Sequence, residues 1–308
     1  MKDKIGVVIV TYNRLEKLKI ALKKFENQTK KQAYILVVNN ASNDGTLEYL
    51  NDWKKNKSAY NKFVINLKEN TGGSGGFYNG LKKAIELDAD WIWVSDDDAY
   101  PKENAIEKAE EFLKKFDNKE KLSAFCAKVI NNGKIDYFHR KTVKYNLTQI
   151  KTFPTKEADY KKEFFEIDRF SYVGAILNKD ILKKAGLTNK DYFIYYDDTE
   201  HSYRMKKYGD ILVVPNIVVE HNVKNGNAQD WKIYYYIRNK LIYYKTISQK
   251  YYYFELIKIK FKQIVKKILH YKMQNYKLIN DAVKDAKTGN LGKSKVYYPG
   301  WTFNKRGK

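Results

Sequence analysis

The chain has 308 residues, 43% of them hydrophobic, and 59 Lys and Arg against 36 Asp and Glu give a net charge of +23. This is a globular composition, long enough for one sizeable α/β domain plus an appendage. One cysteine, Cys126, excludes an internal disulfide framework, fits a reducing cytoplasm and reads as a core residue; no run approaches the ~20 apolar residues of a membrane span.

MKDK leads straight into an apolar segment without a signal-peptide pattern, so a cytoplasmic chain is expected. Residues Ile5 to Val10 (IGVVIV) form a continuous β-branched run, the pattern of a strand buried on both faces. An amphipathic helix is expected from Leu15 to Gln28, a second buried strand from Tyr34 to Asn39, and a helix from Thr46 to Lys54. A third strand follows at Phe63 to Leu67, then a helix from Gly75 to Leu87 after a glycine cluster. A fourth strand, Trp91 to Ser95, ends directly at three aspartates. Strands alternating with helices predict a mainly parallel sheet of βαβ units, with ligands beyond the carboxyl ends of its strands. The polar clusters TYNR, NNASNDGT, NTGGSGG and DDDA follow those four strands in turn, four loops on one rim.

Between Ala124 and Asp191 the pattern is weak and mixes strand and helix candidates. FIYYDDTEHSYRMKKYG then gives an aromatic segment leading into an acidic helix start, followed by short strands at Ile211 to Val214 and Val218 to His221. Beyond Asp230, Phe254, Ile257, Phe261, Ile264, Val265 and Ile268 recur at spacings of three and four, with Lys258, Lys262 and Lys266 as a separate stripe. That is an amphipathic basic helix. From Lys224 to Lys308 there are 20 Lys and Arg against 4 Asp and Glu, so this part carries +16 and the preceding residues +7. The asymmetry implies an anionic partner: acidic lipid, nucleic acid or a phosphorylated substrate.

Asp96, Asp97 and Asp98 repel one another unless a cation compensates, and hard oxygen ligands at a sheet's carboxyl rim suit Mg²⁺ or Mn²⁺ beside substrate phosphates. An isolated acidic turn is the bland alternative. The Asn70 to Phe77 segment is either a connector or a glycine-rich turn whose N–H groups approach phosphate. It matches neither the P-loop nor GxGxxG, which disfavours ATP hydrolysis and nicotinamide binding. Asp197, Asp198 and Glu200 are either acids decorating a helix start or the source of a base that accepts a hydroxyl proton. His221 is a core histidine unless it serves as a third metal ligand.

In order and spacing, TYNR, NNASNDGT, DDD after a strand, and DDTEHSYR resemble family 2 inverting glycosyltransferases of the GT-A fold, over roughly the first 240 residues. NTGGSGGF with SDDDA, and YYYIRNKL from Tyr234 to Leu241, look most like the bacterial galactofuranosyltransferase branch. The resemblance implies a GT-A catalytic domain over residues 1–225, with a nucleotide-sugar half at about 1–100 and an acceptor half at about 101–225. A basic aromatic helical region, 226–308, would serve membrane or acceptor docking. Thr11, Asn13, Arg14, Asn40, Asp44, Asn70 and Gly73 would line the nucleotide-sugar pocket, with Asp97 near the ribose. Asp96, Asp98 and His221 would hold Mn²⁺ or Mg²⁺, and Asp198 would be the catalytic base. Asp197, Glu200 and Tyr172 would contact the acceptor.

The implied reaction moves a hexosyl group, galactofuranose from UDP-galactofuranose, to a lipid-linked cell-surface glycan at the inner face of a bacterial plasma membrane. Three positions depart from the branch's pattern: Asn39 for an acid, Tyr196 for a Trp, and Tyr172-Val173-Gly174-Ala175 for paired tryptophans. They bear on the sugar, leaving rhamnosyl, galactopyranosyl or glucosyl transfer as alternatives. A basic nucleic-acid-binding protein would explain the tail but neither acidic cluster. A nucleotidyltransferase would want a basic residue in the glycine loop, and NTGGSGG has none.

Overall fold

The computed structural model describes residues 3–222, 229–269 and 276–303. Its first half alternates as the pattern predicts: β1 (Ile5–Thr11), α1 (Leu15–Glu26), β2 (Tyr34–Asn39), α2 (Thr46–Lys55), β3 (Asn61–Asn66), α3 (Gly72–Ala84) and β4 (Trp91–Asp96). After the short β5 (Tyr100–Pro101) and α4 (Ala105–Lys115) come β6 (Leu122–Asn131), β7 (Lys134–Ile135), β8 (Arg140–Tyr145), β9 (Ile150–Pro154), β10 (Phe165–Ile167), β11 (Arg169–Phe170) and β12 (Ala175–Asn178). Helices α5 (Lys179–Ala185) and α6 (Asp197–Lys206), strand β13 (Asp210–Glu220), and helices α7 (Asp230–Ile247), α8 (Gln249–Ile268) and α9 (Tyr276–Thr288) complete the chain.

Among the described residues the main sheet has the order β10-β13-β6-β12-β4-β1-β2-β3, with β5 on β13 and β7 on β6. β1 pairs in parallel with β2 and β4, and β13 with β6, while β12 runs antiparallel between β4 and β6. The carboxyl ends of β1, β2, β4 and β13 therefore share one rim. Alternation along the strands sorts the core into two layers. Val7, Ile9 and Trp93 face one cluster with Leu18 and Phe125; Val8, Val10 and Ile92 face another with Phe77 and Leu81. Cys126 is buried in the second.

β13 joins what the pattern gives as two strands. Its register shifts between Val214 and Val218, around Pro215, whose missing N–H cannot serve the ladder. The weak stretch after Ala124 holds β12 and a three-stranded sheet, β11-β8-β9, in which β8 and β9 bury little of their own length. The boundary expected at 225/226 lies outside the described residues. α7 packs against both α8 and α9, and its Trp231 and Tyr235 join Phe193 in one apolar cluster. The apolar positions of α8 do not face inward as a group. The helix packs through Tyr252, Leu256 and Gln263, while Ile257, Phe261, Ile264 and Ile268 are exposed.

The glycine cluster does not form a connector. α3 starts at Gly72, three residues before the expected Gly75, and its glycines let the helix lie close on the sheet. A Cβ on Gly76 would stand 2.4 Å from Val10 Cγ1, and one on Gly80 2.5 Å from Val8 Cγ1. Helix propensity alone favours Gly80→Ala by about 1 kcal/mol. The contact with a fully buried Val8 reverses the sign, so this substitution is expected to destabilise by about 1–3 kcal/mol. Urea denaturation checks it; a raised midpoint would show that α3 has room to retreat.

Candidate active site

The acidic triplet begins inside β4 and continues into the turn after it. Asp96 is the last residue of β4, opposite Val10 of β1. Asp97 accepts from Thr11 Oγ1 at 2.8 Å and from Arg14 Nη1 at 3.2 Å. Asp98 accepts from Arg14 at 3.0 Å and Lys17 at 2.9 Å, and its other oxygen lies 3.3 Å from His221 Nε2. Burial, then the charges of Asp98 and Asp97, push the Asp96 carboxyl well above its usual range. Burial lifts Asp97 to about 6 against the pull of Arg14 and Thr11. For Asp98 burial also acts upward, but hydrogen bonds from His221 and Lys17 and the Arg14 charge outweigh it and hold the carboxyl low.

The donor chemistry fits a hard divalent cation: two carboxylates beside an imidazole whose Nδ1 is buried without a hydrogen-bond partner. No three such groups converge on one point among the described residues, because Asp98 is turned toward Arg14 and Lys17.

The second acidic cluster opens α6. Asp198 accepts from its neighbour Thr199, through N–H at 2.5 Å and Oγ1 at 3.1 Å. Burial raises the Asp198 carboxyl, offset in part by Thr199 and by the Lys141 charge. Asp197 is raised by burial, then by the charges of Asp198 and, farther off, Asp96. The two acidic clusters thus sense each other across one cleft of about 1130 Å³.

Thr11, Arg14, Asn40, Asn70, Gly73, Asp96, Asp97, Tyr172, Asp197, Asp198 and His221 line that cleft. Other expected residues do not. Asp44 accepts from the N–H groups of Leu15 and Thr46, fixing the starts of α1 and α2, and Asn13 bridges Ser42 and Asn43. Glu200 is turned away into a two-bond ion pair with Arg204, at 2.7 and 2.9 Å, and Arg204 in turn holds the carbonyls of Gly186 and Leu187. Asn40 ties β2 to the start of α3 by donating to the Gly72 carbonyl at 3.0 Å and accepting from Thr71 N–H. Tyr172 presents its ring, tilted 45° against that of Phe77 with centroids 4.4 Å apart, and its hydroxyl is committed to His201 Nδ1 at 2.7 Å. His201 is buried and held neutral, its pKa pushed down to about 3 by burial and Arg204.

Several lining residues escape the sequence reading. His139 packs edge-on to His221 at 5.2 Å, Lys141 and Arg169 come from the small sheet, and Tyr236 and Tyr243 come from α7. The aromatic turn before α6 is also unforeseen. Phe193 has φ 66° and ψ −60° with Ile194 N–H bonded to the Tyr192 carbonyl at 2.8 Å, a γ-turn of the rare positive-φ kind. Tyr195 and Tyr196 also have positive φ. Asn239 of α7 donates to the carbonyls of Tyr192, Ile194 and Tyr195 at 2.9, 2.8 and 3.0 Å, and Arg238 donates to Tyr192 at 3.0 Å. On the other side, Ser74 N–H bonds the Phe193 carbonyl at 3.2 Å, and a Cβ on Gly72 would collide with that carbonyl.

The family model described as glycosyl transferase family 2 matches residues 6–186. Galactofuranosyltransferase GlfT1 of Mycolicibacterium smegmatis is 35% identical over 102 residues, 33% of this chain and 32% of that protein. The match thus spans about a third of that relative's length. The dTDP-rhamnosyl transferase RfbF of Shigella flexneri is 25% identical over 231 residues, 74% of this chain and 72% of RfbF. Among solved structures, S. aureus TarS 1-349 in complex with UDP-GlcNAc aligns with a TM-score of 0.58 at 16% identity, covering 92% of this chain and 80% of that one. GalNAc-T7 with UDP, GalNAc and Mn2+ aligns at 0.60 and 17%, covering 79% of this chain and 47% of that one. These likenesses show a GT-A fold.

Replacing Asn239 with Leu removes every bond its amide makes to the turn; the Tyr192 carbonyl keeps Arg238 and the Ile194 N–H, while the part-buried Ile194 and Tyr195 carbonyls lose the amide, at about 1–3 kcal/mol for each group left without a partner. We expect a lowered urea midpoint and new proteolytic cleavage near Phe193 to Tyr196. An unchanged cleavage pattern would mean that Ser74 and Arg238 suffice.

Proposed function

The chain belongs to glycosyl transferase family 2, and from that premise we propose that it transfers a hexosyl group, galactofuranose from UDP-galactofuranose, to a hydroxyl of a lipid-linked cell-surface glycan. The observation that carries this reading is the single cleft lined by Asp96 and Asp97 on one side, with Asp98 paired to Arg14, Lys17 and His221 beside them, and by Asp197 and Asp198 on the other. In it Thr11, Arg14, Asn40, Asn70, Gly73 and Asp97 take the nucleotide sugar, with Asn13 and Asp44 shaping the loops from behind. Asp197 and the Tyr172 ring border the acceptor; Glu200 acts only by fixing the helix that carries Asp198.

Asp96, Asp98 and His221 are the groups that would hold Mn²⁺ or Mg²⁺, which supplies charge to offset that on the departing diphosphate. Asp198 takes the proton of the acceptor hydroxyl as its oxygen bonds to the anomeric carbon. The bond from that carbon to the diphosphate oxygen breaks on the opposite face, inverting the centre and releasing the nucleoside diphosphate. Burial suits Asp198 to this work, since a base is most effective when its pKa is raised toward the working pH. Reaction takes place at the anionic inner face of a bacterial plasma membrane, with residues 226–308 as the docking region; among the described residues no helix is long and apolar enough to cross a membrane.

A second donor, dTDP-rhamnose, is favoured by one observation: the alignment with RfbF extends over 74% of this chain. Comparing UDP-galactofuranose, dTDP-rhamnose, UDP-galactose and UDP-glucose decides between them, and transfer from none of the four would overturn the reading. Asp198→Asn should lower kcat by at least about 10³-fold while donor Kd, read by calorimetry, stays within about threefold. Normal turnover by that variant would remove Asp198 as base. EDTA should abolish transfer and added Mn²⁺ or Mg²⁺ restore it; activity that survives EDTA would release Asp96, Asp98 and His221 from the metal role.

A further inference from the structure

α8 turns its apolar row outward. Tyr253, Ile257, Phe261, Ile264 and Ile268 are each 57% to 68% exposed, and at 3.6 residues per turn they fall within an arc of roughly 80°. The face that packs on the protein, Tyr252, Leu256 and Gln263, lies elsewhere on the same helix. Lys260 and Lys267 flank the exposed row on one side and Lys258 on the other, Lys262 and Lys266 lie on the far side of the helix, and the helix's one acid, Glu255, is paired with Lys240 at 2.7 Å. Where α8 meets α7 and α9, a groove of about 490 Å³ is lined by Lys245, Lys260 and Lys287 together with Tyr252, Tyr253 and Leu256. Among the described residues none of these three lysines forms an ion pair with a carboxylate. Lys245 lies only five residues along α7 from Lys240, which lines the catalytic cleft.

We propose that α8 lies flat in the surface of an anionic bilayer, its Ile257–Ile268 row inserted among the acyl chains and the Lys245–Lys260–Lys287 groove seating one phosphate-bearing lipid headgroup. Partners of other kinds fit less well. Two copies meeting row to row about a two-fold axis would bring their lysine flanks together. A nucleic acid offers phosphates for the lysines, but its bases stack on aromatic faces, and Ile257, Ile264 and Ile268 provide none. An anionic membrane answers both parts at once, branched aliphatics for the hydrocarbon and lysines for the headgroups. The inference deepens the membrane-surface reading above by naming the surface, and it stands or falls separately from the identity of the sugar.

The test is vesicle co-sedimentation of the full chain on phosphatidylcholine alone and on phosphatidylcholine with 30% phosphatidylglycerol. Wild type should partition strongly onto the anionic vesicles only. The triple variant Lys245→Ala, Lys260→Ala, Lys287→Ala should lose on the order of 100-fold in partition coefficient. The pair Ile257→Ser, Phe261→Ser should lose at least about tenfold at the same net charge. Both variants should keep wild-type kcat on a water-soluble acceptor, since neither alters the cleft. Unchanged partition in the serine pair would mean charge alone holds the protein and overturns the inserted row. Unchanged partition in the alanine triple overturns the headgroup groove. Tighter binding to an oligonucleotide than to anionic vesicles, or a serine pair that converts a dimer to a monomer, overturns the membrane in favour of that partner. Vesicle binding without sugar transfer would sink the proposed reaction and leave this inference standing.

Discussion

Asn239 holds the site in shape. Its amide gathers the carbonyls of Tyr192, Ile194 and Tyr195 around a turn in which Phe193, Tyr195 and Tyr196 all adopt positive φ. Left-handed conformations of bulky residues cost on the order of 1–3 kcal/mol each and persist only where the surroundings over-determine them. Here two elements do so. α7 grips the turn through Asn239 and Arg238, and the glycine-rich start of α3 meets the Phe193 carbonyl from the opposite side. The turn ends at Asp197, so its direction fixes where both aspartates of α6 point. Gly72 and a helix more than 150 residues later in the chain thereby serve the same pair of carboxylates.

The electrostatics follow from that placement. A carboxylate at a helix start gains a few tenths to about 1 kcal/mol from the backbone dipoles. Removing it from water costs more, which is why burial leads the upward push on Asp96, Asp97, Asp197 and Asp198. Each cluster meets it differently. Asp97 and Asp98 receive Thr11 from β1, Arg14 from the loop after it and Lys17 from α1, whereas Asp198 relies on its neighbour Thr199 and the more distant Lys141. At the sheet rim compensation is uneven, with Asp98 held low while Asp96 and Asp97 beside it are raised; on α6 both carboxylates are raised.

Much of this was legible in the residues, for identifiable reasons. Strands β1, β2 and β4 announce themselves because both faces are buried and their apolar runs are unbroken. The three-stranded sheet does not, since Arg140, fully buried, organises it by donating to the carbonyls of Ala127, His139 and Val173 instead of through an apolar pattern. Lys141 and Arg169 arrive in the cleft on that sheet, His139 on the turn just before it, and all three share its obscurity. The glycines of α3 were visible as a cluster, but their use depends on Val8 and Val10, some seventy residues earlier. Glu200 and Arg204 are four apart, a pairing the helix alone predicts, and that pairing takes Glu200 out of the cleft. For α8 the periodicity gave the helix and its apolar side; which side met the protein was not written in it.

The ion pairs around Asp98 bear on when the site is assembled. Small metal-binding domains often cannot fold until the ion arrives, since their ligands are intolerable to one another without it. In this chain Arg14 and Lys17 already stand against Asp98 as resident counterions. The acidic triplet therefore carries compensation from within the chain, and a cation taken up there, as the proposed reaction would need, would have to displace a resident partner of Asp98.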